Sequence, residues 1–143
     1  GVSRLLDRDH NRLRLVASRG HRDHEGIVSH YETSGQKSTA RIIADVMASK
    51  QTKVKDLSAS DGMRTFRREG VCTVVAIPLH TQHDVLGIIQ LGSRTVREFQ
   101  ESELRILDAI GGQAGIAIQK ARLYEESQQA QAAATCSNIR TGR

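Results

Sequence analysis

The apolar positions of this chain follow two patterns, short β-branched runs over the first two thirds and a helical stripe over the last third. Residues 2–7 (VSRLLD) and 12–18 (RLRLVAS) flank Arg8-Asp9-His10-Asn11. The second run alternates Arg12 and Arg14 with Leu13 and Leu15, so the pair reads as two strands joined by a turn. Residues 19–37 are polar, hold glycines at 20, 26 and 35, and predict an irregular connection. From Ser38, a suitable N-cap, Ile42, Ile43, Val46 and Met47 share one helical face and predict a short helix. Thr52–Leu57 (TKVKDL) reads as a short strand. Residues 58–70 read as a turn followed by one or two helical turns carrying Met63, Phe66 and Arg67.

The strongest pattern is a hairpin. Residues 71–80 (VCTVVAIPLH) and 85–93 (VLGIIQLGS) are β-branched runs separated by Thr81-Gln82-His83-Asp84. A turn centred on Gln82 and His83 sets His80 opposite Val85 and, carried along the ladder, Val75 opposite Gln90. One face then collects Cys72, Val74, Ala76 and Pro78 with Gly87, Ile89 and Leu91. The other collects Thr73, Val75, Ile77 and Leu79 with Ile88 and Gln90. Both faces are largely apolar, so the hairpin is expected near the sheet centre, covered on both sides.

From Glu101 the chain is helical, with Leu104, Leu107, Gly111, Ala114, Ile118 and Ala121 on one stripe. Gly111, Gly112 and Gly115 each cost a helix up to about 1 kcal/mol relative to Ala. The expected compensation is close backbone approach to the first hairpin face, where Ala76 and Gly87 are small. Ile106, Ile110, Ala117 and Leu123 exceed what one sheet face can bury, so a homodimer through this helix is expected. The helix is expected to end near Gln131, with residues 1–128 forming the domain and the polar stretch 129–143 a disordered tail. The resulting expectation is an α+β fold, a central antiparallel sheet with a long C-terminal helix on one face. Loops and short helices would form a pocket on the other.

Composition narrows the function classes. The length of 143 residues suits a single domain, and 38% hydrophobic with 26% charged residues is ordinary for a globular chain. Aromatic residues make up only 3%, with no Trp, which argues against base-stacking platforms, aromatic cages and a stacked planar cofactor. The net charge of +5 favours anionic partners. Acids interleave with the basic residues, however, so no nucleic-acid arm forms and no nucleic-acid partner is expected. Cys72 and Cys136 have neither CxxC nor metal-type partners, so a reducing, cytoplasmic setting is expected, with no metal site. The longest apolar runs fall far short of a membrane span.

Residues 70–127, with A-I-P-L ending one strand, V-L-G-I-I in its return, F-x-x-x-E-L at the helix entry and I-G-x-Q-x-x-I-A-I-x-x-A-R-L-Y-E in the helix, resemble the C-terminal half of a GAF domain. Residues 1–18 and 34–58 resemble its first hairpin, cross-over helix and third strand. The resemblance implies a sensory or regulatory module of a bacterial signal-transduction protein such as a two-component sensor kinase. Such a module would bind a small ligand and relay its presence through the C-terminal helix, with no catalysis in the domain. A ligand-free dimerisation spacer and a thiol-dependent enzyme are the alternatives. The family normally opens with a helix packed beside the C-terminal one, and Gln100 stands where a Thr usually caps the last helix, so a fragment of a longer signalling chain is expected.

Among candidate chemical groups, Cys72 reads as a buried core thiol or, if reactive, as a bilin or redox cysteine. His21, His24 and His30 form H-x-x-H-x5-H in the long connection, a solvated loop or a loose ligand set. No G-x-S-x-G elbow, phosphate loop or paired-carboxylate site is visible. The ligand-binding expectation falls on Thr73, Val75, Ile77 and Gln90 of the hairpin with Met63, Phe66 and Arg67 opposite them. These residues make either a pocket with a few polar handles or a filled core. No cofactor is assigned.

Overall fold

A computed structural model describes residues 2–9, 12–22, 25, 40–57 and 64–141. Strands β1 (Val2–Asp9), β2 (Arg12–Arg19), β3 (Lys53–Asp56), β4 (Thr73–His80) and β5 (Val85–Ser93) form one antiparallel sheet in the order β2-β1-β5-β4-β3. Helices α1 (Ala40–Ser49), α2 (Arg64–Arg68) and α3 (Glu101–Thr141) accompany it. The hairpin of β4 and β5 lies inside the sheet, and every residue of β4 except His80 is buried, as the two-sided apolar pattern requires.

The main core occupies one face of the sheet. Leu6, Val74, Ala76, Val85 and Ile88 meet Ile42, Ile43 and Val46 of α1, Leu57, Phe66 of α2 and Val71, with Leu15 and Met47 at the margin. The apolar stripe of α1 is therefore the one its spacing predicts; the expected cap, Ser38, lies outside the described residues. Helix α1 ends on Lys50 with φ 55, whose amide bonds the Val46 carbonyl at 2.8 Å. A non-glycine left-handed residue costs about 1 kcal/mol, and its Nζ recovers a bond to the His83 carbonyl at 2.9 Å.

Helix α3 covers the opposite face, and here the structure corrects the hairpin register. His80 pairs with Val85 as the turn dictates, but Leu79 pairs with Gly87, so Leu86 is an extra residue and the ladder shifts by one from there on. Ala76 now faces Gln90, and Thr73 faces Ser93. Because side chains alternate, a one-residue slip turns every β4 side chain over relative to β5. Thr73, Val75, Ile77 and Leu79 therefore share the α3 side with Gly87, Ile89 and Leu91, while Val74 and Ala76 join Ile88 and Gln90 on the core side.

The α3 glycines do mark close approach, but to the end of β4 rather than to Ala76 and Gly87. A Cβ on Gly111 would overlap the Pro78 carbonyl oxygen, and one on Gly115 the His80 carbonyl. Pro78 lies past the last β3–β4 pair, Lys53 with Ala76, where β4 has no neighbour on that side. The helix is pinned further by Asp108, whose Oδ1 accepts both the Thr52 amide (2.7 Å) and the Thr52 hydroxyl. At its start, the Glu103 carboxylate reaches back to the Gln100 amide at 3.4 Å, half of a capping box that compensates for the weak cap at Gln100. Helix α3 also continues to Thr141, through the stretch expected to be a disordered tail. Gln and Ala dominate residues 128–135, and after Gly115 no Gly or Pro interrupts the helix before Gly142.

Candidate functional site

The corrected register separates the hairpin residues of the predicted pocket. Gln90, fully buried, lies on the core side across from Arg4 of β1 and Ala76 of β4. Phe66 is on that side too. Thr73, Val75 and Ile77 are on the α3 side. There the Thr73 hydroxyl donates to the Thr95 carbonyl (3.4 Å) and accepts the Arg97 amide (3.1 Å), so it ties down the connection from β5 to α3. Thr73 and Val75 also line a cleft of about 510 Å³ under the first turns of α3, with Leu91, Phe99, Ile106 and Leu107. Ile77 packs beside Gly111. Arg67 is exposed and lines a separate cleft of about 200 Å³ with Cys72, Leu57 and Val71. Met63 lies outside the described residues.

What the core side does bring together is a buried polar group centred on Arg4, whose exposure is 1%. The VSRLLD strand alternates, so Arg4 shares its face with Leu6 and is carried inward by β1. Its guanidinium lies 3.7 Å from the centroid of the Phe66 ring, and its Nε donates to Nε2 of His21 at 3.3 Å. As the accepting nitrogen, Nε2 carries no proton, so the neutral His21 ring holds its proton on Nδ1. The His21 ring in turn leans on Phe66, with centroids 6.3 Å apart. A cation held against an aromatic face in a desolvated setting gains about 2 kcal/mol. That gain helps offset the cost of burying the charge.

Beside this group sits a second knot. Glu69, at 4% exposure, accepts the Arg22 amide on Oε2 at 2.9 Å, and Arg94 approaches the same oxygen at 3.6 Å. Arg94 also donates to the Glu69 carbonyl (3.0 Å) and the Gly20 carbonyl (3.1 Å). One carboxylate thus fastens the end of β2, the turn before β4 and the exit of β5 around the same side of the sheet.

The arrangement sets a fixed guanidinium, a carboxamide, an imidazole and an aromatic ring on one face of the sheet. The sole cysteine whose side chain is described, Cys72, is half-buried, with Sγ 3.4 Å from the Arg94 carbonyl. Among the described residues no three His, Cys, Asp or Glu side chains are placed to hold a metal, and His24 and His30 lie outside those residues. No helix among them is long and apolar enough to cross a membrane.

Sequence reasoning missed Arg4, Glu69 and Arg94, and read His21 only as part of a loop histidine set. For Arg4 the signal was present, since an arginine in step with Leu6 on an alternating strand belongs to the buried face. For Glu69 and Arg94 no local pattern distinguishes them from surface charges.

Comparison with known proteins places this geometry. Solved structures of the same fold include the GAF domain of a two-component sensor histidine kinase from Bacillus halodurans (12% identity, 87% of this chain and 85% of that one, TM-score 0.65). A GAF domain from a phosphoenolpyruvate-protein phosphotransferase of Coxiella burnetii is 18% identical, over 87% of this chain and 75% of that one, with TM-score 0.66. A type II free methionine-R-sulfoxide reductase from Thermoplasma acidophilum also superposes, at 12% identity over 83% of this chain and 79% of that one, with TM-score 0.59. None of the curated proteins matches the chain significantly. The family model described as GAF domain matches residues 1–119, and with so much of the sequence covered, this chain belongs to the GAF domain family.

Proposed function

We propose that this GAF domain is a regulatory sensor that takes a small ligand at the Arg4–Gln90–Phe66 side of the sheet and passes the bound state to α3. The observation that carries this reading is the position of β4. Ala76 and Val74 belong to the core beside Gln90, while the same strand, at Pro78 and His80, meets the backbone of α3 with no side chain between. A ligand that shifts β4 by a fraction of an ångström shifts the seat of α3 as well, because close-packed elements move together. Helix α3 continues well beyond the sheet and would deliver the change to an output domain of a signalling protein such as a sensor kinase.

A thermal-shift screen over small metabolites, nucleotides and haem tests this. At least one compound is expected to raise Tm, with the rise lost in Gln90→Ala. No rise with any compound would instead favour a ligand-free spacer, a reading that gains from Arg4 already being covered by Phe66 and His21. A thiol-dependent activity, as the reductase likeness suggests, would require turnover that disappears in Cys72→Ala.

A further inference from the structure

The segment that follows β2 is fastened at three consecutive residues. The Gly20 carbonyl accepts from Arg94 at 3.1 Å, the Arg22 amide donates to the Glu69 carboxylate at 2.9 Å, and between them the His21 ring reaches inward to Arg4. Gly20 turns the chain here with φ 80, a left-handed conformation that glycine adopts without strain. Gly20 and Arg22 are thus anchored through their backbones, whereas His21 meets Arg4 with its side chain. The imidazole can turn away about its side-chain torsions while both backbone anchors stay made. Access differs in the same sense: Phe66 and Gln90 are fully buried and Arg4 is nearly so, but His21 is half-buried and reaches solvent. The face of the guanidinium is covered by the Phe66 ring and its Nε edge by His21.

We infer that His21 is a replaceable cover on Arg4, and that the molecule which takes its place is a small monocarboxylate. The inference rests on the ligand-binding reading proposed above and names the ligand class of that site. His21 gives the Arg4 Nε a neutral acceptor at 3.3 Å. A carboxylate oxygen at the same nitrogen makes a shorter bond, about 2.7–2.9 Å, and adds the attraction of opposite charges where water screens little. The planar fork of a guanidinium fits both oxygens of a carboxylate, and the stacked Phe66 ring, 3.7 Å from the guanidinium carbon, holds that fork in one plane. Charge balance sets the class further. Among the described residues Arg4 is the one buried cation, and its single charge matches a carboxylate, whereas a phosphate monoester carries about −1.5 to −2. The room comes from the imidazole itself, which leaves a ring-sized space when it swings out. The same exchange accounts for the cover: a buried guanidinium without an acceptor is costly, and His21 supplies one until a stronger acceptor arrives.

NMR titration of the whole chain with benzoate and propionate, set against benzamide, propionamide and inorganic phosphate, tests the inference. Both carboxylates are expected to bind, and the amides and phosphate to bind about tenfold more weakly or not at all. On adding benzoate, the His21 ring nitrogen shifts are expected to move from the Nδ1–H tautomer to a tautomer mixture as the ring leaves Arg4. His21→Ala, with its fold checked by circular dichroism, removes the competing acceptor and is expected to bind benzoate about tenfold more tightly. His21→Gln restores an acceptor through its amide oxygen and should return the affinity to within about threefold of the parent chain. Arg4→Lys keeps the buried charge without the fork and should weaken binding about tenfold. Benzoate binding that leaves the His21 shifts unmoved, that fails to tighten in His21→Ala, or that is unchanged in Arg4→Lys would overturn the exchange. Amides that bind as well as the carboxylates would overturn the ligand class while leaving the sensor reading in place. Silence from every probe, His21→Ala included, also sinks the inference, and the sensor reading falls with it only if the metabolite screen is silent too.

Discussion

The two faces of the sheet are built on different principles. The α1 and α2 face is sealed by side chains: Leu6, Phe66, Val74 and Ile88 are at most marginally exposed, and Arg4 and Gln90 are buried among them. The α3 face is held where backbone meets backbone at Gly111 and Gly115 and by the bond pair from Thr52 to Asp108. Around those points it leaves a cleft of about 510 Å³ and another of about 290 Å³. The first face is where polar groups are stripped of water and a bound molecule would be felt strongly. The second is a rigid seat, narrow and precise, with loosely packed flanks. Strand β4 contributes both to the first face and to the seat of the second.

Substitutions on either face should expose this contrast. Phe66→Ala removes the ring beneath the Arg4 guanidinium and opens a cavity in the sealed core; a loss of about 4 kcal/mol in urea-unfolding stability is expected. A loss below about 1 kcal/mol would show that the core side is not the tightly packed face. On the seat, Gly115→Val drives a side chain into the His80 carbonyl and is expected to cost about 3 kcal/mol. Asp108→Ala leaves the Thr52 amide and hydroxyl without their carboxylate and should cost about 1.5 kcal/mol by the same measurement. On the flank, Leu91→Ser at 38% exposure should change stability by no more than about 0.5 kcal/mol. If Leu91→Ser proves as costly as Gly115→Val, the seat is broader than the glycines indicate.

Much of this architecture is legible in the residues themselves. The β4–β5 hairpin, the apolar stripe of α1 and the glycines of α3 each express one dominant constraint, burial on both faces, burial on one face, or contact without a side chain. The site is less legible because it depends on a single extra residue. The turn fixes the His80–Val85 pair, with the Thr81 amide bonded to the Asp84 carbonyl at 2.8 Å, but the bulge at Leu86 follows immediately. Its physical context is the approach of β1, where a Cβ on Gly87 would overlap the Leu6 carbonyl oxygen. That contact between residues distant in sequence leaves no trace in the hairpin's own pattern, and missing it inverts β4 and sets Thr73 on one face with Gln90, where the structure separates them. Glu69 and Arg94 are hidden for the same reason, since their pairing joins segments that only the fold brings together.

The central claim is that β4 couples the sealed face to the seat of α3, and hydrogen exchange followed by mass spectrometry tests it without any ligand. Ala76→Val adds bulk to β4 on the core side only. Faster exchange is expected for the α3 amides from 108 to 118, across the sheet from the substitution, with the β1–β2 hairpin changing less. Unaltered exchange in α3 alongside faster exchange in α1 and β5 would contradict it.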